Sequence, residues 1–387
     1  MRAQRLDSVC LITMGQAPPG DSYNTDGHGY PLIAGAGDFS KGEIASKKFT
    51  TAPGKISDEG DVILGIRASI GDKVLSDGRY CLGRGVAGLR PLKGLDRRYL
   101  WQWLGFIKRE LAAKGRGATF LQVNRNDIGE MEIPLPSLGE QKRIAAVLDQ
   151  VDTLRAKRQE AIALLDTLAQ SLFLDMFGTG DRHPVVPLGE QLSFITSGGR
   201  GWAKYYSDSG SIFIRSLDVQ MNSIEIGEVA YVQAPDNAEA RRTRVESGDV
   251  LLTITGSRIG RVSAVPENLS GAYVSQHVAI LRPVQEKILP DFLAFYLSIP
   301  SGGQRQISNM QYGQTKPGLN FRQIEEFMVP LPGIPLQREF IARVSQVRKL
   351  RASHARHLTT LDELFTSLQH RAFSGTLWDH EAIGEAA

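Results

Sequence analysis

Two loops carry the side chains best suited to reading a nucleic acid. They are "KGRGATFLQVNRND" (114–127) and "GGQRQISNMQYGQTKPGLNF" (302–321). Both mix glycine with Arg, Lys, Gln, Asn and Thr, and the second adds a tyrosine. Arg, Lys, Gln and Asn pair with base edges, while lysines and backbone amides hold phosphates. The candidate DNA contacts are Lys114, Arg116, Thr119, Gln122, Asn124 and Arg125 in the first loop. In the second they are Gln304, Arg305, Tyr312, Gln314, Thr315, Lys316 and Asn320. Either loop alone reads as a solvated polar turn. Their equivalent places in a duplicated chain, with different side chains on similar flanks, favour two recognition surfaces that read different sequences.

Other chemistry finds little support. Gly35-x-Gly37 in "PLIAGAGDFSKG" (31–42) suggests a phosphate or S-adenosylmethionine loop, but its counterpart places Arg215 and Leu217 opposite the two glycines, so a strand and turn is the simpler reading. There is no G-x-x-x-x-G-K-[ST] loop, no N-P-P-[YF] or D-P-P-Y methyltransferase motif and no G-x-S-x-G elbow. His354 and His357 lie three apart on a helical pattern, without the further ligands a metal needs. Cys10 and Cys81 have no metal-ligand spacing and read as small core residues.

The elements that must position the loops come in two copies. "LPSLGEQKRIAAVLDQVDTL" begins at Leu135 and "LPGIPLQREFIARVSQVRKL" at Leu331, 196 positions later. "GDVILGIRASIGDKV" (60–74) returns as "GDVLLTITGSRIGRV" (248–262), "VAGLRP" (86–91) as "VAILRP" (278–283), and "LITMG" (11–15) as "FITSG" (194–198). Two diverged copies of one unit are too few and too long for a solenoid. The first part of each copy is glycine-rich, with short apolar strands broken by helical patterns at 96–111 and 290–299, an α+β arrangement.

The second part of each copy is a long helix. Apolar residues at Ile144, Val147, Leu148, Val151, Leu154, Ile162, Leu165, Leu168, Leu172 and Met176 keep a heptad. Phe340, Val344, Val347, Leu350, Leu358, Leu361, Leu364, Phe365 and Leu368 repeat it. Ser137 or Gly139 caps the start, and Gly178 suits the end. At ~1.5 Å per residue the helix is roughly 57 Å long. Such a stripe needs a partner, and the copy in the same chain is the economical one. Arg158 and His354 fall at equivalent seam positions, where they either set register or merely snorkel. The second helix is basic, with Arg338, Arg343, Arg348, Lys349, Arg351 and Arg356.

The expected plan is globular 1–137, helix 138–177, linker 178–187, globular 188–333, helix 334–373 and tail 374–387. It is an α+β fold of two homologous globular domains joined by two antiparallel, coiled-coil-like helices with pseudo-twofold symmetry. The 387 residues suffice for two cores, and a net charge of +3 permits a nucleic-acid partner without demanding one. With no run of eighteen apolar residues and no signal-like N-terminus, a cytoplasmic, non-membrane protein is expected.

The paired motifs "IPLPSLGEQKRIAAVLD" and "VPLPGIPLQREFIARVS", each ahead of a long helix, resemble the specificity (S) subunit of type I restriction–modification systems over essentially the whole chain. The second motif departs at Leu336, which stands where the first has Glu140. The resemblance implies two target-recognition domains, each reading half of a bipartite double-stranded DNA site, and helices that act as a spacer. It implies no catalytic site and no small-molecule substrate in this chain. It implies two methyltransferase (M) subunits and restriction (R) subunits as partners, which would carry S-adenosylmethionine, ATP and Mg2+. Half-sites on one face of the duplex would lie about 10 bp apart, and the helix length caps the separation at roughly 16 bp. A self-contained DNA methyltransferase or nuclease, and a coiled-coil adaptor that ignores DNA, are the alternatives.

Overall fold

The computed structural model describes residues 2–40, 42–178, 182–311 and 318–378. The chain forms two compact units, Met1–Glu160 with Ala355–Ala387, and Ala161–His354. Each holds a globular part and a portion of both long helices.

In the first unit the main sheet contains β1 (Cys10–Met14), β2 (Val62–Gly65), β3 (Lys73–Leu75) and β4 (Val86–Pro91), in the antiparallel order β1-β4-β2-β3. The run "DVILGI" is apolar throughout because both faces of β2 are covered. Val62 and Leu64 join the cluster under α1 (Arg97–Phe106), with Trp103 and Leu104, while Ile63 packs with Ile33, Val74 and Leu82 on the other face. Asp96 caps α1, accepting from the amides of Arg98 and Tyr99. A smaller sheet orders Cys81–Leu82, Tyr30–Ile33, Lys48–Thr50 and Tyr23–Asn24, with the first pair parallel. Both cysteines are buried, and burial pushes the Cys10 thiol up to about 12.

The second unit repeats this order. Its main sheet contains β5 (Leu192–Ser197), β6 (Val250–Thr253), β7 (Val262–Ala264) and β8 (Val278–Pro283), ordered β5-β8-β6-β7. Its small sheet runs Tyr273–Val274, Ser211–Ile214, Tyr231–Val232, Tyr206–Ser207, again with the first pair parallel. α3 (Pro290–Ser298) starts with a proline in place of a capping side chain, which wastes no amide hydrogen.

Two polar devices explain why short motifs recur. Arg90 of β4 binds Asp61 through Nε and Nη2, at 2.8 and 2.9 Å, and reaches Asp58. Arg282 of β8 binds Asp249 at 2.7 and 2.9 Å and reaches Glu246. Asp61 and Asp249 are nearly or fully buried, so each needs its paired cation. The repeated "GDV" and "LRP" are the two ends of this pair. The second device is Gln141, fully buried: its Nε2 donates to the carbonyls of Gly94 and Pro136, and its Oε1 accepts from the amide of Asp96. Gln337 does the same with Lys287, Pro332 and Leu289. The second motif therefore keeps its structural residue although Leu336 replaces the neighbouring Glu.

The long helices are α2 (Leu138–Phe177) and α4 (Ile334–Ser374). Ser137 Oγ accepts from the amide of Glu140, and Gly178 and Gly375 follow the helices with φ of +70° and +89°. Within the first unit, Arg155 of α2 binds Asp362 of α4 at 2.6 Å and lies over the Phe365 ring, and Arg143 lies over Trp378, so the two helices run antiparallel there. Within the second, Arg351 binds Asp166 at 2.6 Å. Arg155 and Arg351 are 196 positions apart, as are Asp166 and Asp362. Each ion pair is thus the counterpart of the other.

The stripe expected from the heptad is buried only in part. Ile144, Leu148 and Val151 are buried, as are Leu165, Phe340, Val344 and Phe365. Leu154 and Leu168 are each 43% exposed, Leu350 50% and Leu364 45%. Several of the buried positions, among them Ile144, Leu148, Phe340 and Val344, belong to the cores of the two units.

Removing the Gln141 side chain (Gln141→Ala) orphans a buried amide and two carbonyls, and should cost about 3 kcal/mol. Hydrogen exchange should localise the loss to the Asp96 amide and the start of α2; unchanged protection at Asp96 would show that the clamp does not hold this corner. A second expectation concerns Lys73, whose amine lies over the Trp101 ring at 4.6 Å. Burial draws its pKa down to about 8 from 10.5, against the pull of Asp152. Between these values the unfolded chain binds the extra proton, so folding stability rises with pH from about 8 toward 10.5. Lys73→Met should be more stable than the parent at pH 7 and should flatten that rise in pH-dependent melts.

Candidate nucleic-acid interface

Loops at one end of each main sheet are stitched into a single surface. In the first unit the amide of Gly83 donates to Ile33, that of Ile66 to Gly85, that of Val123 to Ile66 and that of Ala68 to Leu121. The second unit repeats three of these, from Ser275 to Ile214, Ile254 to His277 and Leu319 to Ile254. The turn after β2 requires a left-handed residue, Ala68 at φ +60°, and its counterpart after β6 is Gly256 at +91°. The last residue of "LITMG" is glycine because a Cβ on Gly15 would sit 2.1 Å from the Gly83 carbonyl; on Gly198 it would sit 2.0 Å from that of Val274.

The first candidate loop packs onto this end. Arg116 and Gln122 bridge each other, and Gln122 also bridges Arg67. Thr119, Gln122 and Arg125 are exposed, and Lys114 is half-buried. Arg116 is 70% exposed along its side chain, yet its guanidinium is held by buried Asp127 at 3.0 Å. The side-chain carbonyl of exposed Asn124 accepts from the amides of Asn126 and Asp127 and caps a short helix. In the second unit Asn320 caps in the same way, accepting from Gln323. Gln304 is also committed to the scaffold, donating to the carbonyls of Gly260 and Leu297. Arg305 is exposed. Tyr312, Gln314, Thr315 and Lys316 lie outside the described residues.

The structure adds residues that the loop reading missed. Arg67 stands 5.3 Å over the Phe120 ring, and Phe120 and Leu121 are 54% and 50% exposed. Exposed Arg84 lies on the same stitched end. In the second unit Thr255 Oγ1 meets His277 Nδ1 at 2.5 Å, beside exposed Gln276 and Ser257. Arg67 lies within the repeated "GDVILGIRASIGDKV", so repetition marked it as scaffold although copy two has Thr255 there. The rejected chemistries also find places. The carboxylate of Asp38 closes the Gly35 turn, accepting from the amides of Ala34 and Gly35, and Asp218 does so at Arg215. Among the described residues no group of three His, Cys, Asp or Glu is arranged to hold a metal, and no helix is long and apolar enough to cross a membrane. On α4, Arg343 pairs with Glu339 and Arg351 with Asp166, so part of its basic face is satisfied internally.

The sequence profile described as "Type I restriction modification DNA specificity domain" matches residues 2–164 and 210–362. The EcoBI type I restriction enzyme specificity subunit of Escherichia coli is 24% identical over 96% of this chain and 85% of its own length. The MjaX protein of Methanocaldococcus jannaschii, named for the same class of subunit, is 36% identical over 38% of this chain, which there spans 36% of the relative. A solved S subunit of a type I restriction–modification system from M. genitalium has the same fold, with a TM-score of 0.60 over 96% of both chains at 17% identity.

Arg125→Ala and Arg305→Ala should weaken binding to a mixed-sequence duplex and lower the salt slope by about one each, as loss of a phosphate contact does. Arg116→Ala should add faster hydrogen exchange at the Gln122 amide, because its guanidinium holds Asp127. Fluorescence anisotropy across a salt series reads the first effect; salt slopes unchanged in all three variants would remove these arginines from the interface.

Proposed function

The chain belongs to the type I restriction modification DNA specificity family, and on that premise we propose that it is the sequence-reading subunit of a type I restriction–modification complex. The observation that carries the reading is a stitched sheet end built twice on one scaffold, with different exposed side chains on each copy. Identical scaffolds with different surfaces are what two different half-sites require. Each globular part reads one half of a bipartite double-stranded site. The long helices pair antiparallel in a pseudo-twofold arrangement, set the spacer between the halves and recruit two methyltransferase subunits; restriction subunits complete the assembly in the cytoplasm. The chain itself is non-catalytic. S-adenosylmethionine, ATP and Mg2+ act on the partner subunits. The arginines that bind Asp61 and Asp249 are structural, so the base-reading side chains are those on the loops.

Expressing the chain with its methyltransferase subunit in a methylation-free host and mapping methyladenine tests this directly. A bipartite motif with a fixed spacer, absent when the chain is omitted, is the expected result. Methylation by the purified chain alone would reveal an active site and restore the self-contained enzyme. Absence of the salt-dependent DNA binding that phosphate contacts impose would favour the adaptor.

A further inference from the structure

The first unit exposes an apolar feature that its scaffold does not need. Phe120 and Leu121 are adjacent, 54% and 50% exposed, at the tip of the 114–127 loop. Their backbone is anchored at two points. The Arg116–Gln122 bridge closes the loop below them, and the amide of Ala68 donates to the Leu121 carbonyl at 3.0 Å. Gly117, at φ +139°, allows the close turn, since a Cβ there would sit 2.3 Å from the Phe120 carbonyl. Isolated exposed apolar side chains are ordinary on protein surfaces, but an adjacent pair held on a rigid tip is not explained by packing.

The surroundings select the occupant. From Leu111 to Asn126 the chain contains Lys114, Arg116 and Arg125 and no acid, and Arg67 adds a further cation. Asp127, the nearest acid in sequence, is buried and already paired with Arg116. An apolar tip under one arginine, on a loop that carries cations and no acid, suits the groove of a polyanion better than the neutral core of a protein interface. The ring then decides how it meets the bases. Arg67 lies over one face of Phe120, 5.3 Å from its centroid. An arginine on that face obstructs insertion of the ring between two base pairs, which is how apolar wedges kink a duplex. A ring with one free face and an open edge, beside a leucine, instead suits the C5-methyl group that thymine presents in the major groove.

We propose that Phe120 and Leu121 form a methyl-reading contact, which makes the first unit prefer thymine at one defined position of its half-site. This rests on the DNA-reading function proposed above.

The test uses the full chain with its methyltransferase subunits and two randomised duplex libraries, one containing thymine and one containing deoxyuridine in its place. The parent complex should enrich a bipartite motif from the thymine library and bind a duplex with uracil at the critical position roughly fourfold more weakly, the value of one buried methyl group. Phe120→Ala should bind the two duplexes equally, while the other half-site of its motif stays unchanged, which also reports that the variant is folded. Phe120→Met should retain part of the discrimination. Discrimination that persists in Phe120→Ala, or a parent indifferent to uracil at every position, would overturn the proposal. So would loss of the methyltransferase subunits from Phe120→Ala with an intact motif, since the tip would then be a protein contact. A parent that enriches no bipartite motif would sink the DNA-reading function itself and this inference with it; a bipartite motif untouched by the substitutions sinks only the inference.

Discussion

A buried amide side chain fixes the geometry on which the rest of each unit depends. Gln141 and Gln337 are fully buried, and each satisfies two carbonyls and one amide from separate parts of the chain. An amide can do this because it is both donor and acceptor; a glutamate would be forced to leave carbonyls unpaired or to change its protonation. The bonds tie the first turn of a long helix to the loop that starts α1 or α3, and those helices pack on the main sheet. This side chain therefore anchors the start of each long helix at its sheet, alongside apolar packing such as that of Ile144 and Phe340, and losing it leaves several buried groups without partners.

Above that corner the scaffold and the reading surface are separable. The arginine–aspartate pairs in the sheets, the left-handed turn after β2 and β6, and the glycine that ends β1 and β5 all serve backbone geometry, and all occur twice. The side chains displayed on the stitched loops do not. Arg67 and Thr255, or Arg84 and Gln276, stand at equivalent places with different chemistry. This is the arrangement expected where sequence preference must change while the fold does not, because the constrained positions carry the fold and the exposed positions carry the contacts.

The interhelical ion pairs play a different part. Arg155 with Asp362 and Arg351 with Asp166 are partly exposed, and such pairs contribute ~1 kcal/mol or less. Their value lies in register. Sliding either helix by one residue would part both oppositely charged groups, and the apolar seam, with Leu154, Leu168, Leu350 and Leu364 partly in water, is too open to fix the register by packing alone. Exposed leucines beside a specified register leave apolar surface on the helices without disturbing their pairing.

The sequence alone determined that the chain is a duplication, that each copy combines an α+β part with a long helix, and that polar loops precede each helix. Those properties are written in repetition and periodicity, which are local. It also placed the Gln in both motifs, but not its purpose, since its three partners come from segments up to fifty positions away. Only the tertiary structure decided which loop residues already make bonds within the chain. Asn124 and Asn320 resemble base readers by type, yet they cap helices; Gln304 donates to two backbone carbonyls; Arg116 is held by Asp127. Phe120 resembles a core residue and stands exposed instead. Side-chain type states what a group is able to bond, whereas folding decides which of those bonds are already made.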